Sequence, residues 1–81
     1  MPTLRVLNGS GDRRITWSAA DLLRGDTEAQ AAVREAEQIL ARERARGAVA
    51  FRVTPGAPAQ RVDTLDPLAD ETVVIPPVVG G

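Results

Sequence analysis

Val73-Val74-Ile75-Pro76-Pro77-Val78-Val79-Gly80-Gly81 is the stretch on which the fold turns. It begins with β-branched residues, which suit a pleated strand. Two prolines then end the strand, because proline has no N–H to give to a ladder. Two glycines follow, and Gly81 is expected to carry the free carboxylate of the chain. A strand that runs on into a stiff, apolar, extended tail is suited to presentation to another protein. The residues before it are then expected to form a small domain that presents that tail.

Working outward from this stretch, Glu71–Ile75 reads as the last strand of the domain. The first strand is expected at Thr3–Leu7, where apolar and polar residues alternate. Asn8-Gly9-Ser10-Gly11-Asp12 is a turn cluster, and Arg13–Trp17 follows as a second strand, with Ile15 and Trp17 on one face. Two strands across a five-residue, Gly-containing loop predict a β-hairpin. A phosphate-binding loop would need a helix directly after it, and here a strand follows.

Ser18-Ala19-Ala20-Asp21 has the form of a capping box and predicts one helical turn that stops at Gly25. Asp26 or Thr27 then caps a long helix over 27–46, with Glu28 in the first turn, where the macrodipole favours an acid. Ala29, Ala32, Val33, Ala36, Ile39 and Leu40 recur at helical spacing and form one apolar stripe. Gly47 is placed as the residue that ends the helix. Ala48–Val53 predicts a third strand, with Val49, Phe51 and Val53 inward and Arg52 outward. Thr54–Ala59 is a loop, Gln60–Leu65 a short strand, and Asp66–Asp70 a turn. The expected fold class is α+β, a mixed sheet of four to five strands wrapped on one long helix. If the first and last strands are neighbours in the middle of the sheet, they run parallel, with the helix as the crossover.

Composition narrows the chemistry. The chain has 81 residues, 43% of them hydrophobic, which is ordinary for one folded domain. It has no Cys and no His, which removes a thiol nucleophile, the commonest general base and the commonest metal ligands. No metal site and no catalytic residue of its own are expected. A net charge of −1 points to neither nucleic acid nor an anionic membrane as partner. No apolar run approaches the roughly 20 residues of a membrane span. Met1-Pro2-Thr3-Leu4-Arg5 shows no signal-peptide core, so the expected compartment is the cytoplasm. All ten basic residues are arginine. Either the composition has drifted from Lys to Arg, or lysine amines have been avoided. Trp17 and Phe51, the two aromatic residues, are expected in or near the core. An exposed Trp17 beside Arg13 and Arg14 would instead mark a docking surface.

The order of elements and the terminus resemble the ubiquitin-like β-grasp fold. The segment from Asp70 to Gly81, with Pro76-Pro77 and Gly80-Gly81, is similar to the C-terminal end of the molybdopterin-synthase small subunit and its sulfur-carrier relatives. Those proteins have a more compact, Leu-rich helix and an Asn-Gly pair after it, and neither feature is found here. Gly11–Trp17, Ala50-Phe51-Arg52-Val53 and Leu65-Asp66-Pro67 look more like bacterial ubiquitin-like proteins encoded beside activating-enzyme, conjugating-enzyme and peptidase homologues. The resemblance implies a β-grasp domain at 1–75 and an extended diglycine tail at 76–81.

The resemblance also implies a chemistry. A partner adenylating enzyme uses ATP to convert the Gly81 carboxylate to an acyl-adenylate, and the chain itself binds no cofactor. Gly80 and Gly81, without Cβ atoms, fit a narrow channel. Pro76 and Pro77 hold the approach extended at low entropic cost, and Val78 and Val79 fill apolar pockets of the partner. The acyl group then passes to a conjugating-enzyme cysteine and a target protein, with a deconjugating peptidase to reverse it. Alternatively it becomes a thiocarboxylate of a sulfur carrier for molybdopterin, thiamine or related biosynthesis. A non-catalytic binding module is the third reading. The absence of lysine favours the modifier, because such a protein cannot be consumed by modification of side-chain amines on its own copies.

Overall fold

A computed structural model of the chain describes residues 1–9 and 11–77. Five strands form one mixed sheet: β1 (Thr3–Val6), β2 (Arg13–Thr16), β3 (Val49–Val53), β4 (Gln60–Val62) and β5 (Glu71–Ile75). The strand order is β2-β1-β5-β3-β4. β1 and β2 are the expected antiparallel hairpin, and β5 lies in the centre. It runs parallel to β1, with Val6 opposite Val74, and antiparallel to β3, with Ala50 opposite Val74.

Two helices connect β2 to β3: α1 (Ala19–Leu23) and α2 (Thr27–Ala45). The expectation of a sheet wrapped on one long helix is therefore corrected, since the turn read at Ser18–Asp21 closes into a short helix of its own. The Ser18 hydroxyl accepts from the Asp21 N–H at 3.1 Å, and the Asp26 carboxylate accepts from the Ala29 N–H at 3.0 Å. Each bond satisfies an N–H that the first turn of a helix leaves open. α2 ends in a Schellman motif. The Ala48 N–H bonds to Glu43 C=O at 3.0 Å and the Gly47 N–H to Arg44 C=O at 2.9 Å, with Gly47 at φ +98°.

The apolar stripe of α2 buries Ala29, Val33, Ala36, Ile39 and Leu40, as its spacing predicts. Leu4, Val6, Trp17, Ala48, Ala50 and Val74 complete the core, with Ile15, Leu22, Ala32, Val62 and Leu65 packed around it. Each fully buried Leu or Val contributes about 1.5–3 kcal/mol.

Two expectations change. β4 stops at Val62, three residues short of Leu65, because Arg44 holds the Asp63 carbonyl at 3.0 Å and its carboxylate at 3.1 Å, drawing the chain off the sheet edge. The inward face of β3 is also reversed. Ala50 is wholly buried, while Val49, Phe51 and Val53 are half-buried on the other side. A strand alternates faces at every residue, so the reading had every side chain of β3 on the wrong face. No helix of the described residues is long and apolar enough to cross a membrane.

Candidate functional site

The root of the tail is built by β5. Val73 and Val74 are buried, Ile75 is exposed, and Pro76 and Pro77 continue past the last ladder pair, Val49 with Ile75. β5 is hydrogen-bonded on both sides, and the Leu7 N–H extends the β1 side by bonding to Val74 C=O at 3.0 Å. Pro77 packs against the end of α2, where a Cβ added to Gly47 would lie 3.7 Å from the Pro77 Cβ. The left-handed φ of +98° at Gly47 is what calls for glycine here, and a Cβ at this position would meet Pro77 at ordinary van der Waals distance. Val78, Val79, Gly80 and Gly81 lie outside the described residues.

Arg13 and Arg14 do not act as a pair. Both sit on the edge strand β2, but neighbouring residues point to opposite faces. Arg13 is on the helix side, where it meets Glu35 at 3.2 Å, and both side chains are more than half exposed. It lines a groove of about 170 Å³ with Val6, Ile39, Arg42 and Arg46, close to the end of α2. Arg14 is on the opposite, uncovered face, directly across from Arg5.

Trp17 takes its core position and not a docking position. It is 4% exposed, and its indole N–H donates to Pro67 C=O at 2.8 Å. That bond ties the loop before β5 to the start of α1, and so helps to fix where the last strand begins. Tryptophan is rarely buried without a partner for its N–H, and here the partner comes from 50 residues along the chain.

Reading the strands singly missed the uncovered face of the sheet. The register aligns one row across all five strands: Arg14, Arg5, Val73, Phe51 and Arg61. The signal was in the sequence, but it needed the face of β3 to be assigned from Ala50 and not from Phe51. Among the described residues, no group of three or more Asp and Glu comes together in a way that could hold a metal ion.

Comparison of the chain with protein-family models, with curated proteins and with solved structures gives no match.

Proposed function

We propose that the chain is a ubiquitin-like modifier with a β-grasp body, whose Gly81 carboxylate, once free, is activated by a partner enzyme. The observation that carries this reading is the position of β5. The strand that leads into Pro76-Pro77-Val78-Val79-Gly80-Gly81 is the central one, parallel to β1, with the helices as the crossover between the two halves of the sheet. This arrangement fits the resemblance to β-grasp proteins drawn from the sequence.

In the proposed reaction the Gly81 carboxylate attacks the α-phosphate of ATP on the adenylating enzyme. Pyrophosphate leaves and an acyl-adenylate forms. A conjugating-enzyme cysteine displaces AMP to give a thioester, and an amine of a target protein displaces the cysteine. A peptidase reverses the final bond. The chain contributes no acid, base or metal to these steps. It supplies the acyl group, two glycines that pass a narrow channel, and an apolar approach stiffened by two prolines. Its place of action is proposed to be the cytoplasm, with neither nucleic acid nor membrane as partner. Lysine-free composition supports transfer to other proteins over sulfur carriage, since copies of the chain offer no side-chain amine to one another.

The test is expression of the tagged chain in its own cells, followed by intact-mass and peptide mass spectrometry. Larger adducts, with target residues carrying the Gly80-Gly81 remnant, are expected, and removal of both glycines should abolish them while leaving the melting temperature unchanged. A thiocarboxylate at Gly81, seen as one oxygen replaced by sulfur with no protein adducts, would establish the sulfur carrier instead. Full function in cells of the chain without its glycines would overturn both.

A further inference from the structure

β2 is an edge strand, and the pairing on its inner side fixes what its free side offers. The Trp17 N–H bonds to Pro2 C=O at 3.1 Å, and hydrogen-bonded pairs alternate along an antiparallel ladder. The pairs Leu4–Ile15 and Val6–Arg13 therefore carry the bonds to β1. The N–H and C=O groups of Arg14 and Thr16 point the other way, out from the edge. The opposite edge, β4, is only three residues long and is drawn away at Asp63 by Arg44. Such a short edge is a protected one. Among the described residues nothing shields β2 in this way.

The two ends of β2 are opposite in charge on the helix side. At the Arg13 end, the 170 Å³ groove presents Arg13, Arg42 and Arg46, with Glu43 as its one acid. Arg46 holds Glu43 at 3.3 Å, and Arg42 has no ion-pair partner among the described residues. At the Thr16 end, a second groove of about 260 Å³ presents Asp21, Asp26 and Glu28 and no basic side chain. Asp21 pairs with Arg24 and Asp26 caps α2, whereas Glu28 has no ion-pair partner among the described residues.

We propose that β2 is a dimer edge, and that its occupant is β2 of a second copy of the chain running antiparallel to it. The two-fold axis passes through Ile15. Arg14 of each copy then exchanges both of its free backbone bonds with Thr16 of the other. Ile15 stands opposite its own counterpart as an apolar pair on the helix side, where it already packs against the core. Moving the axis to Arg14 would set arginine against arginine, which is unfavourable, so the charges specify the register. The antiparallel order brings Arg13 of one copy opposite Trp17 of the other, at the mouth of the acidic groove. Symmetry makes that contact twice, so basic groove meets acidic groove at both ends. A copy fits better than an unrelated acidic segment, because it brings its own free strand with both grooves at the matching spacing. The sheet then runs on through both copies, with the helices of both on one face.

The dimer stands independently of the tail, so a Gly81 that is never adenylated leaves it in place. The test is sedimentation velocity on the full chain from about 10 µM to about 1 mM, with amide hydrogen exchange followed by NMR. The sedimenting mass should rise towards that of a dimer with concentration and fall back as salt rises, and exchange at the Arg14 amide should slow as the dimer forms. Thr16→Pro removes only an outward N–H, which an edge strand tolerates. It should abolish self-association while the dilute chain keeps its melting temperature. Arg13→Glu and Glu28→Arg should each weaken the dimer about tenfold, because each sets like charges together at both ends. Mixed in equal amounts they should pair as tightly as the parent, since each reversed charge then meets its opposite in the other chain; mixing would not repair a damaged fold. A monomer at every concentration overturns the proposal. So does self-association that survives Thr16→Pro, a mixture that pairs no better than its components, or slowed exchange at Arg61 in place of Arg14.

Discussion

The reversed face of β3 can be tested by a pair of substitutions whose effects exchange if the face is wrong. Ala50 has no exposed surface and lies between Val74 and Val62 in register, both on the core side. Ala50→Leu adds three carbons where no space exists, an overpacking that costs about 1–3 kcal/mol. Phe51 lies on the uncovered face and is only half-buried. A fully buried Phe→Ala change costs about 3–5 kcal/mol, so Phe51→Ala should cost about 1–2 kcal/mol. Unfolding entropy is roughly 2.1 cal/mol/K per residue, or about 0.17 kcal/mol/K for 81 residues. Ala50→Leu should therefore lower the melting temperature by about 6–18 °C, and Phe51→Ala by about 6–12 °C. Thermal unfolding followed by circular dichroism reads both values. A loss of about 3–5 kcal/mol for Phe51→Ala, with Ala50→Leu within about 0.5 kcal/mol of the parent, would place Phe51 in the core and refute the assignment.

Two further outcomes test the elements that hold β5 in place. Trp17→Phe keeps an aromatic ring in the core but leaves Pro67 C=O without its donor, which should cost about 1 kcal/mol and raise amide exchange between Leu65 and Asp70; unchanged exchange there would mean that the bond does not anchor the loop. Asp26→Ala removes the acceptor for the Ala29 N–H and should cost about 1 kcal/mol, measured by urea unfolding, with Asp26→Asn retaining most of the stability.

How much of this was legible in the sequence follows the range of each signal. The caps at Ser18, Asp26 and Gly47 act over three or four residues, and the positions they imply match the hydrogen bonds formed. The α2 stripe was legible because helical periodicity runs through five turns. β3 was misread because its larger apolar residues, Val49, Phe51 and Val53, all share one face, and size was taken for inwardness. On the core side β3 presents only the methyl group of Ala50, which is wholly buried like Ala36 of α2, while Leu4, Val6 and Val74 of the neighbouring strands supply the bulk. The larger residues are displaced to the open face. Nothing local in a five-residue strand distinguishes that case from its reverse. Likewise Arg5, Arg14 and Arg61 are far apart in sequence, and only the register places them in one row. The Pro67 acceptor for Trp17 is a non-local contact of the same kind.

The central place of β5 bears on how a tail can be worked on by a partner without unfolding its carrier. An edge strand can be peeled away by breaking one ladder. β5 is paired over four positions with β1 and over five with β3, so withdrawing it requires both ladders to break and Val73 and Val74 to leave their buried sites. Force applied beyond Pro76 is therefore met by the most firmly held strand of the sheet. The six residues from Pro76 to Gly81 can span at most about 20 Å. On the proposed reading, the reacting carboxylate must enter an active site no further than that from Ile75. On that reading, a partner must hold the body of the domain and place its ATP site inside that reach, so the short tail selects for enzymes that do both.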